Sequence, residues 1–463
     1  MPPPFDPWLE SAIGAEVALA THADADALAS RQAQRLAELL RVASRDSAWH
    51  RRRLAGVDPT RVRLQDLPVS HRGDLMREFD AWVTDPALRI DALRRFTANR
   101  SRIAEPYLGR YMVWESSGSS GGEPGVYVQD ARSMAVHDAL EAQRRRVMRP
   151  LQRLFDPWGL LQRMAFVGAV AGHFASNVSV ERLRRLNPAL ARTMHSVSFL
   201  QPLAQLVDEL QALAPTVIAT YPSAAVLLAE EQDAGRLNLR LQEVWTGGET
   251  LTPAMRAFVA KAFGCPVANS YGASEFLSIA FECRLGSLHL SSDWVILESV
   301  DERGIPVPGG QAGTTCLLTN LANHVQPLIR YDLGDRITLH AQRCSCGSAL
   351  PVIEVVGRCD DTLCLAVPGA RAVRVLPLAL STVLEDDAGL FDFQLVQTGP
   401  AELLLRTGLS GTETSRVLRR ARMALTAFLA SHGAPGVHIR CRSGEPGRCG
   451  RSGKLQRVIG LPP

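Results

Sequence analysis

The stretch Ser116-Ser117-Gly118-Ser119-Ser120-Gly121-Gly122-Glu123-Pro124-Gly125 is too rich in hydroxyls and glycines to serve packing. Glycine admits positive φ and lets backbone amides approach a ligand closely. Successive N–H groups and serine hydroxyls form a concavity suited to phosphate oxygens. A flexible Gly/Ser hairpin loop is the other reading the run admits. A nucleotide-triphosphatase P-loop does not fit, because no Gly-Lys-Ser/Thr closes the run and no helical pattern follows at once. A second cluster is Cys344-Ser345-Cys346-Gly347, a tight thiol pair in a turn, with Cys283 and His289 upstream. Three thiolates and an imidazole could close a tetrahedral structural zinc site; buried free thiols that pack as small hydrophobes are the alternative. The third signal is a scarcity. Lysine occurs only at Lys261 and Lys454 in a chain with abundant arginine. A compact lysine charge can be aimed at one oxygen where arginine offers a broad fork.

The elements around these residues can be read from their patterns. Tyr111-Met112-Val113-Trp114 and Val126-Tyr127-Val128 predict strands on either side of the Ser/Gly run, and 133–148 predicts a helix after them. Farther on, strands are expected at 164–170, 216–220, 241–245 and 267–270, with helices between them and prolines at helix starts such as Pro222 and Pro253. Strands alternating with helices imply a mostly parallel sheet covered on both faces, with ligands outside the strands' carboxyl ends. The turn Thr246-Gly247-Gly248-Glu249 and the segment Ser270 to Glu275 fall at such ends. From Ile279 to about Thr338 the pattern becomes one of alternating strands, expected to form a β-rich subdomain. Residues 1–357 are expected to form a large domain and 358–463 a small α+β domain, ending in a Gly/Arg-rich loop that carries Lys454.

The Ser/Gly run resembles the phosphate-binding loop of AMP-forming adenylating enzymes, usually written Ser-Gly-Thr-Thr-Gly-x-Pro. Four further stretches resemble that superfamily's signatures in the same order: Thr246 to Glu249, Ser270-Tyr271-Gly272-Ala273-Ser274-Glu275, Arg330 to Asp335, and Gly357-Arg358-Cys359-Asp360-Asp361. A basic loop ending at Gly453-Lys454 completes the set. The likeness runs over nearly the whole chain and points to the phenylacetate–coenzyme A ligase branch. Two departures stand out. Glu123 occupies the place before the proline where many relatives carry lysine, and Asp332 stands where relatives often carry a basic residue.

The resemblance implies ATP-dependent activation of a carboxylic acid to an acyl-adenylate, followed by transfer to coenzyme A. Two anions must meet in such a reaction, so the site needs N–H and cationic donors aimed at the phosphoryl oxygens. The loop Ser116, Ser117, Gly118, Ser119, Ser120, Gly121 would hold the outer phosphates. Glu275 would help hold Mg²⁺, which prefers oxygen ligands and substrate phosphates. Ser274 would bond the α-phosphate, and Lys454 would neutralise charge on the attacking carboxylate. Tyr271 would face the adenine and Asp335 the ribose, with Arg358, Gly248, Glu249 and Gly272 also at the nucleotide. Asp360 would be the hinge of the small domain. His173, Phe174, Tyr221, Trp245, Gly248 and Ala273 would line the acyl pocket, and their sizes suit an aryl or arylacetic acid. Transfer to a carrier-protein phosphopantetheine arm, adenylyl transfer without a thiol, and a non-catalytic nucleotide-binding homologue remain as alternatives.

Composition bounds the rest. The 463 residues exceed single-core size, and 46% hydrophobic with 21% charged residues describe a globular chain. A net charge of +4 gives no dedicated nucleic-acid surface. Neither a signal peptide nor an apolar run of membrane-spanning length is evident, so a cytoplasmic protein is expected, with a homodimer as one oligomeric option. Its nine cysteines should then be thiols or metal ligands.

Overall fold

Met164–Gly168, Met194–Ser198, Val217–Thr220, Glu243–Gly247 and Val267–Ala273 are short strands separated by helices, and they pair in parallel. This is the arrangement that strand–helix repeats produce. The computed structural model describes residues 4–116, 124–144, 162–356, 362–367, 372–390, 392–444 and 457–461. The Tyr221-Pro222 and Thr252-Pro253 junctions start the next helices as expected. Proline supplies a helical φ where no N–H partner is needed, and the Thr252 hydroxyl accepts from the Met255 N–H at 3.2 Å. The helix Pro253–Phe263 stops at Gly264, whose φ of +62° an L-residue would resist.

Beyond Val267–Ala273 the sheet changes hand. Phe276–Glu282, Leu288–Leu290, Val352–Val356 and Arg336–Leu339 are added in that order, each antiparallel to its neighbour. The nine-stranded sheet is therefore mixed rather than mostly parallel. Part of the expected β-rich subdomain belongs to this sheet. The remainder is a three-stranded sheet of Val295–Val300, Thr315–Asn320 and Tyr331–Asp332. Alternation along a strand does not reveal which edge it joins, so the sequence could not separate the two cases.

The strands Met112–Glu115 and Val126–Gln129 form an antiparallel hairpin that frames the Ser/Gly run. Its base is closed by Ser116 N–H to the Gly125 carbonyl at 2.8 Å and by Gly125 N–H to Ser116 Oγ at 2.9 Å. Its second strand is clamped by two buried amides. Gln326 accepts from Val128 N–H and donates to the Val126 carbonyl, both at 2.8 Å, and Asn323 donates to the Val128 carbonyl at 2.7 Å. Buried backbone groups outside a full sheet need partners of this kind.

Among the described residues after 361, Gln394–Gly399, Glu402–Thr407, His438–Ser443, Val458–Ile459 and the helix Thr412–Ser431 build a separate core. Leu376 and Ala379 also pack into the core of the parallel half-sheet, and His432 Nε2 lies 3.0 Å from the Gln201 carbonyl. Among the described residues, no helix is long and apolar enough to cross a membrane.

Candidate active site

The carboxyl ends of the parallel strands open into a cleft of about 1700 Å³. Most of the described residues expected at a nucleotide and acyl site line it: Ser116, Phe174, Tyr221, Trp245, Gly248, Glu249, Tyr271, Gly272, Ala273, Ser274, Glu275 and Asp335. Leu378 and Thr382, from the carboxyl-terminal part, line the same cleft. Ser117 to Gly121, Arg358, Asp360 and Lys454 lie outside the described residues.

The turn after Val267–Ala273 organises the site. Gly272 sits where the register slips between Tyr271 and Ala273, and a Cβ there would come within 2.0 Å of the Leu277 carbonyl oxygen. Only glycine fits that close backbone approach. The slip presents Ser274 and Glu275 to the cleft. The Ser274 carbonyl accepts from Trp114 Nε1 at 2.8 Å, which fastens this turn to the strand leading into the Ser/Gly run.

Glu275 is buried, and its Oε1 accepts from the hydroxyls of Tyr127 at 2.5 Å and Tyr331 at 2.8 Å. The two hydroxyls are themselves 3.1 Å apart. Burial, and next the neighbouring Glu275 charge, push both phenols well above the ordinary tyrosine range, so they remain donors. The Glu275 side chain is thus held in place by two hydrogen bonds to one of its oxygens. Its oxygen chemistry fits a hard cation such as Mg²⁺.

Tyr271 donates its hydroxyl to Asp335 Oδ2 at 2.9 Å, so the residues expected at adenine and ribose are joined. Asp335 follows a turn at Gly334 (φ +68°), whose N–H bonds Asp332 Oδ1 at 2.9 Å. That segment is anchored by Arg330, itself at φ +47°. Its buried guanidinium pairs with Glu298 at 3.0 Å and donates to the Gly304 and Leu67 carbonyls at 2.7 Å each. A non-glycine residue in that region stores strain, which the anchoring offsets. Arg330 is therefore a positioning residue for the two that follow.

Glu249 and Gly248 take a more structural part than the motif suggests. The Glu249 carboxylate accepts from the N–H and the hydroxyl of Ser223, both at 3.0 Å, and so caps the helix Pro222–Asp233. Gly248 has φ +79°, and a Cβ there would stand 3.0 Å from the Tyr221 ring. His173 faces away from the cleft. Its Nε2 lies 3.1 Å from the Asn99 carbonyl and its ring packs edge-on to Phe96, 5.4 Å between centroids. Only its neighbour Phe174 reaches the lining. Arg72 also lines the cleft, and its charge acts on the Tyr331 phenol. Nothing in the sequence marked it, because a basic residue opening a short helix is ordinary.

Beside the cleft but not lining it, the ligand atoms of Cys283, His289, Cys344 and Cys346 all lie within 4.8 Å of one another. His289 Nδ1 is taken by the Leu350 carbonyl at 2.8 Å, which leaves Nε2 toward the thiols, 3.4 Å from Cys346 Sγ. The Leu285 and Ser348 N–H groups point at Cys283 and Cys346 sulfurs at 3.4 and 3.5 Å. The Cys344 thiol is held down at about 6, first by the Cys346 backbone N–H. Burial pushes the neighbouring Cys346 thiol up instead; three sulfurs converging with an oriented imidazole fit a structural zinc ion.

Comparison with known proteins agrees with this geometry. The model of the AMP-binding enzyme family matches residues 188–317. A phenylacetate–coenzyme A ligase of Thermus thermophilus is 34% identical over 185 residues, 38% of this chain and 40% of that one. Protein CapK of Staphylococcus aureus is 30% identical over 96 residues, 21% of this chain and 20% of that protein. The matched stretches thus span less than half of either relative. Among solved structures, 2-hydroxyisobutyryl-CoA ligase bound to 2-HIB-AMP and CoA in its thioesterification state superposes with a TM-score of 0.56 at 22% identity, covering 95% of this chain and 91% of that one. Its postadenylation state gives 0.53, covering 93% and 88%. The fold is that of the adenylate-forming enzymes, and the likeness read from the motifs is met.

Proposed function

We propose that this relative of the AMP-forming adenylating enzymes activates a carboxylic acid with ATP and passes the acyl group to coenzyme A. The observation that carries the reading is the meeting of Tyr271–Asp335, Ser274 and Glu275 with the base of the Ser/Gly hairpin in one cleft at strand carboxyl ends. The acid's carboxylate attacks the α-phosphorus and pyrophosphate leaves. The thiol then gives up its proton and attacks the acyl carbon, the acyl carbon–oxygen bond breaks, and AMP departs with that bond's electrons on its phosphate. Tyr271 and Asp335 hold the nucleoside, and Ser274 bonds the α-phosphate. Glu275, with Oε1 fixed by two phenols, would hold Mg²⁺, which supplies charge neutralisation at the phosphates when bound. Arg72 supplies a cation toward the outer phosphates, where Glu123 replaces the lysine of many relatives.

We read 358–463 as the small domain, with Asp360 as its hinge and Lys454 as the group that enters for adenylation and withdraws for thioester formation. The Cys283, His289, Cys344, Cys346 cluster would hold zinc in a structural role, far from the chemistry in kind if not in sequence. An aryl or arylacetic acid is the first substrate class to try, from the flat faces of Phe174, Tyr221 and Trp245.

The test is pyrophosphate release over a panel of aromatic and aliphatic acids, with coenzyme A or a holo carrier protein as acceptor. Release with any acid, enhanced by coenzyme A, supports the reading. Release only with the carrier protein moves the acceptor, and none with any acid overturns it. For the metal, elemental analysis should give one zinc per chain, and chelation should lower the melting temperature by several degrees, as loss of a structural site does. A metal-free protein of unchanged stability would dispose of the zinc.

A further inference from the structure

The two carboxyl oxygens of Glu275 are not equivalent. Oε1 lies 2.5 Å from the Tyr127 hydroxyl and 2.8 Å from that of Tyr331. Each phenol has one proton to give, and each is nearer to Oε1 than to the other phenol, 3.1 Å away, so both protons go to that oxygen. A carboxylate oxygen has about two lone pairs, and on Oε1 both are then taken. No described residue hydrogen-bonds Oε2, and it is not among the occluded oxygens that lack a partner. Oε2 is therefore the oxygen that Glu275 turns to the cleft it lines.

Both phenols are fixed from elements other than Glu275's own. Tyr127 is buried on Val126–Gln129, the strand that Gln326 and Asn323 clamp. Its hydroxyl occupies space that a side chain on Gly125 would need, since a Cβ there would stand 2.8 Å from it. Tyr331 is buried too, and Ser70 ties the chain on either side of it. The Ser70 N–H donates to the Arg330 carbonyl and the Asp332 N–H to the Ser70 carbonyl, both at 2.9 Å. The Glu275 backbone carbonyl accepts from Asn320 Nδ2 at 3.0 Å. With its backbone and Oε1 both tied, the carboxyl group is not free to exchange its oxygens.

We propose that Tyr127 and Tyr331 are positioning residues that leave Glu275 a single oxygen for the cation, and so make the site select Mg²⁺ over Ca²⁺. The inference rests on the ligase reading above, with Glu275 at the cation, and names which cation that site accepts. Ca²⁺ has a large, flexible shell and often takes both oxygens of one carboxylate, whereas Mg²⁺ keeps a tight octahedron that includes waters and phosphate oxygens. Withholding Oε1 costs the larger ion a contact and the smaller one nothing.

The test uses the full-length protein with the α,β-methylene analogue of ATP. Bound Mn²⁺ is read by electron paramagnetic resonance while Mg²⁺ or Ca²⁺ displaces it, so no turnover is involved. In the wild type, Mg²⁺ should outcompete Ca²⁺ by about tenfold beyond the ratio that the analogue shows free in solution, the scale on which ligand-supporting contacts act. Tyr127→Phe and Tyr331→Phe each return a lone pair to Oε1 and should lower that ratio, and the double variant should bring it to the free-nucleotide value. Gly125→Ala should lower it as Tyr127→Phe does, because the backbone there needs no positive φ and the new methyl displaces only the Tyr127 hydroxyl. Merely structural tyrosines would weaken both ions alike; a ratio unmoved in these variants overturns the proposal while the ligase reading stands. A wild type that shows no preference beyond that of the free analogue overturns it without any variant, so a substituted protein that fails to fold does not shield it. An analogue that binds with no cation at all, together with no pyrophosphate release from any acid, removes the ligase reading and this proposal together.

Discussion

The two ends of the cleft are built on opposite rules. At the strand tips, Glu275, Tyr127, Tyr331, Tyr271 and Asp335 form closed hydrogen-bonded groups before any ligand arrives. Around Phe174, Tyr221 and Trp245 the lining is aromatic: Trp245 Nε1 donates to Glu243 Oε2 at 2.7 Å, and the Tyr221 ring stands edge-on to Phe199, 5.7 Å between centroids. The first end is preorganised, so a ligand meets donors already in position and little reorganisation is needed when charge develops. The second offers ring faces and few directed hydrogen bonds, so shape and apolar area would decide what it takes. A nucleotide is the same in every turnover, whereas the acid must be chosen. On the proposed reading, rigidity sits where the ligand is constant and aromatic surface where it is selected.

The largest effect should come from the cation expected to complete the nucleotide end. Lys454→Ala is expected to lower acyl-adenylate formation by about 10²–10³-fold, the scale of removing one preorganised charge. Reaction of supplied acyl-adenylate with the thiol should be nearly untouched. Rapid-quench assays of the two half-reactions check this, and equal losses in both would break the assignment. Glu275→Gln comes next, at about 10²-fold in the adenylation half-reaction. The amide keeps an acceptor for Tyr127 and Tyr331 but loses the charge, so the Mg²⁺ needed for half-maximal rate should rise steeply. An unchanged Mg²⁺ dependence would show that the ion sits elsewhere.

These residues differ in how much of their role the sequence discloses. Gly272 and Glu275 lie three positions apart across the end of the strand Val267–Ala273, so local spacing places them. The Cys/His cluster was legible by composition, since cysteines in a turn beside a distant Cys/His pair have few other uses, although Cys283 and Cys344 are 61 positions apart. Sheet topology was legible only in its parallel half. Strand–helix alternation dictates neighbours there, whereas the antiparallel strands Leu288–Leu290 and Val352–Val356 meet across a long excursion that no periodicity encodes. The expected wall position of His173 was misplaced because its side chain turned to the Asn99 carbonyl, and one residue's shift along an extended segment reverses the face.

Arg72 sharpens the contrast between the ends, because it supplies charge to the preorganised one from outside the family's signature motifs. Arg72→Ala should raise KM for ATP by about tenfold, the value of one charge-assisted contact to phosphate, and leave the order of preference among acids intact. Initial-rate kinetics with varied ATP check it. A change in acid preference instead would place Arg72 at the other end of the cleft.

The smallest effect expected at the nucleotide end is that of Tyr271→Phe. The substitution keeps the ring that would face the adenine and removes only the hydroxyl that Tyr271 donates to Asp335 at 2.9 Å. A hydrogen bond of this kind contributes about 1 kcal/mol net, so KM for ATP should rise about fivefold with kcat little changed. Asp335 retains its carboxylate for the ribose and loses only part of its orientation. Tyr271→Ala should be distinctly worse, since it removes the ring as well. If Tyr271→Phe lowered kcat and spared KM, the pair would be acting on the reacting centre rather than on the nucleoside, and the division of labour between the two ends would fail at the end held to be the more rigid.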